Sequence, residues 1–540
     1  MIARFQCFFD FNIFFREGFM KFNGKEYKNF VSAFDESNLF THFAPRKTPT
    51  FMPRGKSKVK TLDEVVDILE DGDVISYPHY YRTGDRGLEA VVKKLREHGK
   101  RNIVLYGNAI FDHTDPWLYE AFKDGIITGI YGNIYRAMGN HLVAGDLLPW
   151  VGVGLSHGNR VRKLQMGEVH VKMAFLPVPM ADIHGNANGV MGNPDEYCGP
   201  LGLATADAEY ADYTCLIAGT VSEETLIPAE ITMELTDFVV PMEKPGLSEG
   251  IGSGTLDFEK IRSNKFNAQI AENVTNIMKA AGVMKDGFAF QVGSGAGLIV
   301  LDNIRQYLKE NNITANFAIG GITSMHVEML EEGTLRHIFH GQLFEPSEKV
   351  IKSLLMNPFH IPISTGFYAS IANKECAVNM LDVAVLSALE VDRDFNVNTV
   401  CASGRIIGGI GGGQDVAAGA DLTIMFVPLA TGKDGKGFPK IVEKVYTRTT
   451  PGEVIDVVVT EDYVCVNPKS RSSYKEAILE NGKKYGLNII TMDELLAKSK
   501  EKAESFGVIP KPKPTTDEVV HVIEWRDGTL LDTIKRAMPK

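Results

Sequence analysis

The sequence predicts an α/β protein of two homologous, open, mostly parallel α/β domains, with a small C-terminal β hairpin. Three observations point there. Short apolar runs are entered by Asp-Gly turns, helical periodicity follows them, and the same pattern recurs in the second half of the chain.

Asp71-Gly72-Asp73-Val74-Ile75-Ser76 resembles Asp286-Gly287-Phe288-Ala289-Phe290-Gln291, each an apolar strand behind a turn. A helix follows in both places: Leu88, Val91, Val92 and Leu95 fall at i, i+3, i+4 and i+7, and Leu301, Ile304 and Leu308 at i, i+3 and i+7. Each helix leads to a further strand that ends in a loop, at Gly107-Asn108 and at Gly320-Gly321. The register persists: Asp182, Asn186 and Asn188 match Asp392, Asn396 and Asn398, and Ala211-Asp212-Tyr213-Thr214 matches Ala420-Asp421-Leu422-Thr423. Strands alternating with helices build parallel sheets covered on both faces, and Val383–Leu386, apolar at consecutive positions, reads as such a buried strand.

The expected boundaries are an N-terminal extension over 1–59, a first α/β domain over 60–255, a second over 260–505, and a Pro-rich spacer with the hairpin over 506–540. Pro241–Lys260 reads as the connection, and Pro510, Pro512 and Pro514 as a stiff spacer. Val519–Trp525, a turn at Asp527-Gly528 and Leu530–Ile534 make the hairpin. The Phe-rich stretch before Met20 is broken by Asp10, Asn12, Arg16 and Glu17, too polar to span a bilayer, and lacks a small-residue cleavage site. Met20 is read as the start, with 1–19 not native.

With 540 residues, 44% of them apolar, the chain can bury sizeable cores. A net charge of −11 and a pI near 5.7 argue against nucleic acid or an anionic membrane as partner. The six cysteines, Cys7, Cys198, Cys215, Cys376, Cys401 and Cys465, form no CxxC pair and read as reduced thiols of a cytoplasmic protein; no His/Cys spacing suggests a metal.

Ligands of open α/β sheets bind at the carboxyl ends of strands. Gly293-Ser294-Gly295-Ala296-Gly297 follows one such strand and precedes a helix, so its bare backbone suits an anion or thioester oxygen as well as tight helix–strand packing. It lacks the glycine at the sixth position, where Leu298 stands, and the acidic ribose partner of a dinucleotide fingerprint. In the first half, Pro78-His79-Tyr80-Tyr81-Arg82-Thr83-Gly84-Asp85 takes the same place, with Arg82 offering a bidentate fork for carboxylates or, equally, a solvated surface charge. Gly408-Gly409-Ile410-Gly411-Gly412-Gly413-Gln414-Asp415 permits close backbone approach. Ser156-His157-Gly158-Asn159-Arg160 places another Arg near an anion, while His157 alone does not define a base. The chain carries no phosphate-loop, HExxH or GxSxG motif.

From about residue 60 onward the chain resembles the citrate lyase α-subunit family, within the wider CoA-transferases. The segments that carry the resemblance are SHGNRVR (156–162), DIHGNANGV (182–190), CGPLGLATADAEYAD (198–212), TDFVVP (236–241), MKDGFAFQVGSGAG (284–297), FAIGGIT (317–323), LSALEVDRDFNVN (386–398), GGIGGGQD (408–415), TPGEVIDVVVTEDYVCVNP (450–468) and WRDGTLLD (525–532).

The resemblance implies a CoA-transferase that exchanges the acetyl group of an acetyl-thioester for citrate, giving citryl-thioester and acetate. A β (lyase) subunit and a γ (acyl carrier) subunit are the implied partners. The phosphopantetheine-type group, derived from dephospho-CoA, sits on the carrier and acts here as substrate; no cofactor is expected covalently on this chain, and acetyl-CoA can stand in for the carrier. An oligomer is expected. The citramalate enzyme is the alternative reading, and a non-catalytic anion-binding protein on the same fold is the alternative of another class.

Relatives that form a glutamyl thioester carry a Glu where this chain has Ile319-Gly320-Gly321-Ile322-Thr323. The expectation is therefore direct attack by citrate, with the backbone of Gly293, Ser294, Gly295, Ala296, Gly297, Gly320 and Gly321 stabilising the oxyanion. His79, Arg82, Arg160 and Thr323 are expected to hold carboxylates or line the site. Asn396, Asn398 and Gln414 are expected to orient the thioester arm or line the cleft, and Gly411, Gly412 and Gly413 to bind substrate. Asn186 and Asn188 read as structural, and Glu390 is the rival nucleophile.

Overall fold

The computed structural model describes residues 20–35, 57–252, 258–293, 296–343, 345–402 and 404–538. Its architecture is a duplicated parallel sheet. The first half contributes β1 (Val74–Tyr77), β2 (Ile103–Ile110), β3 (Ile127–Ile134), β4 (Gly152–Gly154), β5 (Met173–Asp182), β6 (Tyr213–Ser222) and β7 (Phe238–Pro241). The second contributes β8 (Ala289–Val292), β9 (Ala315–Ile322), β10 (Leu335–Leu343), β11 (His360–Pro362), β12 (Val383–Ser387), β13 (Leu422–Phe426) and β14 (Val457–Val459).

The spatial orders are β7-β6-β5-β1-β2-β3-β4 and β14-β13-β12-β8-β9-β10-β11. Adding seven to each label of the first gives the second, and every pairing in both is parallel. The repeat read from the sequence is thus a repeat of topology.

The helices that matter for the site are α1 (Gly87–Glu97), α2 (His157–Gln165), α3 (Gly202–Tyr210), α4 (Ala296–Asn311), α5 (Ser324–Glu331), α6 (Thr365–Ala369) and α7 (Gly413–Gly419). The apolar periodicity of α1 and α4 does what it predicts. Leu88, Val91, Val92 and Leu95 are buried, as are Leu301, Ile304 and Leu308, each such side chain contributing about 1.5–3 kcal/mol. The buried clusters do not stop at the domain boundary: Phe175 and Ile217 of the first half share one core with Ala384 and Met425 of the second.

The C-terminal hairpin forms as expected, from β16 (Thr515–Glu524) and β17 (Leu530–Ala537). Sequence did not predict its position. β16 pairs in parallel with β4 and extends the first sheet, with His521 opposite Gly152 and Ile523 opposite Gly154. A short antiparallel strand, β15 (Val464–Val466), closes the corresponding end of the second sheet beyond β14. Within the expected N-terminal extension, Met20–Phe22 pairs with Lys25–Tyr27, and the Phe30 amide donates to the Leu530 carbonyl. Residues 1–19, on which the reading of Met20 as the start bears, lie outside the described residues. No helix among the described residues is long and apolar enough to cross a membrane.

Candidate active site

The carboxyl ends of the two sheets face one cleft. Its walls are Arg82, His157 and Leu203 from the first half, and Gln291, Gly320, Gly321, Gly341, Thr365, Tyr368, Gly412 and Gly413 from the second; it encloses about 190 Å³. The halves meet so closely there that side chains are excluded: a Cβ on Gly158 of α2 would stand 2.3 Å from the Ala369 carbonyl oxygen, and one on Gly202 2.1 Å from that of Ile363.

Arg82 sits in the loop after β1 with φ +54°, and His79 in the same loop has φ +58°. Two non-glycine residues in the left-handed region of one loop mark a conformation held by its surroundings. The Arg82 Nη1 donates to the Ile251 carbonyl at 3.0 Å. Burial lowers the pKa of its guanidinium, and no carboxylate hydrogen-bonds to it among the described residues.

Across the cleft, the β9–β10 ladder slips at Gly320: Gly320 faces His340 but Gly321 faces Gln342, leaving Gly341 as the extra residue of a bulge. Gly320 adopts φ +104°, which a side chain would resist, and Gly321 is exposed. The bulge thereby presents bare peptide to the cleft. Beside it the Tyr368 hydroxyl pairs with the Gln291 carboxamide, donating to Oε1 at 3.3 Å and accepting from Nε2 at 3.2 Å. Burial pushes the Tyr368 phenol well above its ordinary range, so it remains a donor.

The Gly408–Asp415 segment of the second half is docked on the first. The Ile410 amide donates to Asn133 Oδ1 at 2.8 Å, and the His157 amide to the Gly411 carbonyl at 3.0 Å. Asp415 then caps α2: its carboxylate accepts from the Ser156 hydroxyl and the Gly158 amide, both at 2.9 Å. Arg526 of the hairpin turn stands 3.9 Å from the same carboxylate. On the far side of α2, Lys163 pairs with Glu524 of β16 at 3.0 Å, and Lys25 pairs with Glu524 at 3.1 Å. Burial opposes the Glu524 charge, but Lys163 and Lys25 outweigh it and hold its pKa below the ordinary carboxylate value.

Of the residues singled out from sequence, Arg82, Gly320, Gly321, Gly412 and Gly413 line the cleft, with Gly411 beside His157 at its edge. Several others do not. Arg160 is buried and fully engaged: two bonds to Asp207, at 2.9 and 2.8 Å, and one to the Gly107 carbonyl leave it nothing for a substrate. His79 is buried against Phe111 and His113. The Gly293 amide donates to the Val385 carbonyl at 2.9 Å and so is not an oxyanion donor. Ala296 and Gly297 are buried in the first turn of α4, and Ser294 and Gly295 lie outside the described residues.

Thr323 caps α5 together with His326. Gln414 is fully buried and ties the Thr449 and Glu524 carbonyls. Asn396 binds the Asp392 carboxylate and the Gly452 amide, and Asn398 binds Glu390 and the Cys401 carbonyl. They repeat the turn built by Asp182, Asn186 and Asn188 in the first half. Glu390 pairs with Asn398 in a short antiparallel ladder, accepts from the Asn398 side chain and the Tyr446 amide, and is not one of the cleft walls.

Sequence reasoning assigned no role to Gln291, Gly341, Thr365, Tyr368, Leu203 or Asp415, and left His157 without one. Gln291, a polar residue at the end of an apolar strand, and Gly341, between apolar stretches, were available signals.

Only one set of potential metal ligands comes together among the described residues: His79, Asp85 and His113, within 4.8 Å of one another. It fits a metal poorly. Asp85 already accepts from the Tyr77 hydroxyl and the Leu88 amide, and the Nδ1 atoms of both histidines lack the outer partner that orients a ligating imidazole. Burial, then the neighbouring His113, pushes His79 down to about 3, leaving it neutral.

The model of the citrate lyase α-subunit family matches residues 56–537. The citrate lyase alpha chain of Klebsiella pneumoniae is 37% identical over 471 residues, covering 87% of this chain and 88% of that one. The solved α subunit of citrate lyase from Streptococcus mutans, in complex with citrate, superposes with a TM-score of 0.84 at 32% identity, over 92% of this chain and 95% of that one. An acyl-CoA transferase from E. coli O157:H7, seen as a thioester complex with CoA, shares the fold at a TM-score of 0.52 and 16% identity, over 86% of this chain and all of that one (100%).

Proposed function

Because the chain belongs to the citrate lyase α-subunit family, we propose that its cleft exchanges the acetyl group of an acetyl-thioester for citrate, giving citryl-thioester and acetate. One observation carries this reading. A guanidinium, Arg82, faces a bare peptide bulge, Gly320-Gly321, across a narrow cleft whose described walls include no carboxylate.

A citrate carboxylate held by Arg82 attacks the thioester carbonyl carbon. The tetrahedral oxyanion is stabilised by peptide groups of the bulge; one well-aimed donor is worth roughly 3–4 kcal/mol. Collapse breaks the C–S bond and releases thiolate, leaving a mixed citric–acetic anhydride. The thiolate then attacks the citryl carbonyl, forming the new C–S bond and expelling acetate. No proton is consumed. The closely packed halves keep water from the anhydride. Glu390, bound to Asn398 and Tyr446, takes no part.

The thioester arm belongs to an acyl carrier subunit, and the citryl-thioester passes to a lyase subunit. Both assignments rest on the family.

Purified chain supplied with acetyl-CoA and citrate should form acetate and citryl-CoA in equal amounts. After incubation with acetyl-CoA alone, hydroxylamine or borohydride should leave activity and mass unchanged. An acyl group trapped on Glu390 or any other carboxylate would overturn the direct route, and absence of acetate would overturn the exchange.

A further inference from the structure

We infer that His157 is a specificity-determining residue that accepts a hydrogen bond from the hydroxyl group of the incoming acid. The inference deepens the reading above and rests on it.

His157 is the first residue of α2, and its side chain is fixed from two sides. Its backbone amide is tied to Gly411, and its Nδ1 lies 2.9 Å from the Asn108 side-chain oxygen. A carboxamide oxygen accepts only, so Nδ1 carries the hydrogen and Nε2 the lone pair. Among the described residues nothing hydrogen-bonds to Nε2, and it is not one of the buried orphaned atoms, so it opens toward the cleft that His157 lines. A Cβ on Gly411 would stand 3.8 Å from it, near enough to show which glycines flank it. Burial, then the charges of Arg160 and Arg82, push the imidazole down to about 4, so it stays neutral at physiological pH.

A bare, neutral nitrogen beside Arg82 needs a donor. The reacting ends of both substrates are acceptors: carboxylate oxygens, a thioester carbonyl and a sulfur. The hydroxyl of a hydroxy-acid is the donor closest to the attacking carboxylates. With Arg82 taking a carboxylate and His157 the hydroxyl, two neighbouring groups fix which carboxylate faces the thioester. A site that hydrogen-bonds a hydroxyl discriminates strongly against the analogue lacking it, because its buried acceptor is then left unpaired.

The test compares citrate with tricarballylate, the same tricarboxylate without the hydroxyl, as acceptors of the acetyl-CoA exchange. Wild type should prefer citrate by roughly 100-fold or more in kcat/KM. His157→Leu should lose most of that preference through a fall on citrate alone, with KM for acetyl-CoA unchanged, and His157→Gln, which keeps an acceptor, should retain part of it. An equal loss on both acids, or a raised KM for acetyl-CoA, overturns the inference, the latter by placing His157 on the thioester arm.

Calorimetric binding of the two acids separates the two levels. If wild type exchanges no acetyl group but binds citrate over tricarballylate, and His157→Leu and His157→Gln behave as above, the exchange reading fails and the hydroxyl contact stands. If neither wild type nor variant discriminates, the contact fails whatever the turnover.

Discussion

Ser156 and Asp415 share a hydrogen bond of 2.9 Å that crosses from the first half of the chain to the second. The same carboxylate receives the Gly158 amide and approaches Arg526 of the hairpin turn, so three regions distant in sequence meet at one group. It lies directly behind His157, so the geometry of the cleft depends on it.

Removing that carboxylate should therefore damage both fold and activity. Asp415→Ala leaves the Ser156 hydroxyl, the Gly158 amide and the Arg526 guanidinium without their shared partner, at a cost of about 3–5 kcal/mol. Asp415→Asn retains acceptor capacity and should cost less. Thermal unfolding of both variants, with exchange rates measured well below the lower midpoint, checks this.

Arg82 and Arg160 should separate cleanly. Arg160→Ala strands the buried Asp207 and should destabilise by about 3–5 kcal/mol. Arg82→Ala should leave the melting temperature nearly unchanged and lower kcat/KM for citrate roughly 10- to 100-fold, the worth of a hydrogen bond to a charged group. A reversed pattern would place the carboxylate site elsewhere.

Gly412 has no room for a side chain: a Cβ there would stand 2.6 Å from the Tyr368 hydroxyl. Gly412→Val should displace Tyr368, and with it the Gln291 carboxamide it holds, from the cleft wall and lower turnover by about 100-fold, the effect of a small misplacement in the site. The midpoint of unfolding should change little by comparison.

The pH dependence of stability has a specific contributor in His521, buried against Gly152 and Gly154. Burial lowers it from 6.5 to about 4. Between those values the unfolded chain binds a proton that the folded one does not, so stability falls as pH drops through this window and is restored above about 6.5. His521→Asn should flatten the slope by about 1.4 kcal/mol per pH unit. Unfolding midpoints for both proteins between about pH 5 and 7.5 read this difference.

The duplicated topology was legible because strands and turns are local: the Asp-Gly entries and the apolar runs behind them lie where the sequence puts them. The site was half legible. Gly320 and Gly321 announce themselves, since a bulge with positive φ needs glycine. Arg160 misled because a cation is visible in sequence while its partner, Asp207, 47 residues on, is not. Asn396 and Asn398 misled for the opposite reason. Asn and Asp close turns on their own backbone, and their recurrence at Asn186 and Asn188 reflects the repeat of a turn and not of a site. Gln291 and Tyr368 meet only because two sheets converge, which no local pattern records.

The pairing of β16 with β4 has a consequence for synthesis on the ribosome. His521 is made 369 residues after its partner Gly152. At about 5–20 residues per second, that strand edge waits roughly 20–70 s for its neighbour. Until then the nascent first half exposes an open sheet edge, with Lys163 lacking the anion that β16 brings it. Truncated products of this chain should accordingly be aggregation-prone clients of chaperones, and the last thirty or so residues decide when the first domain is finished.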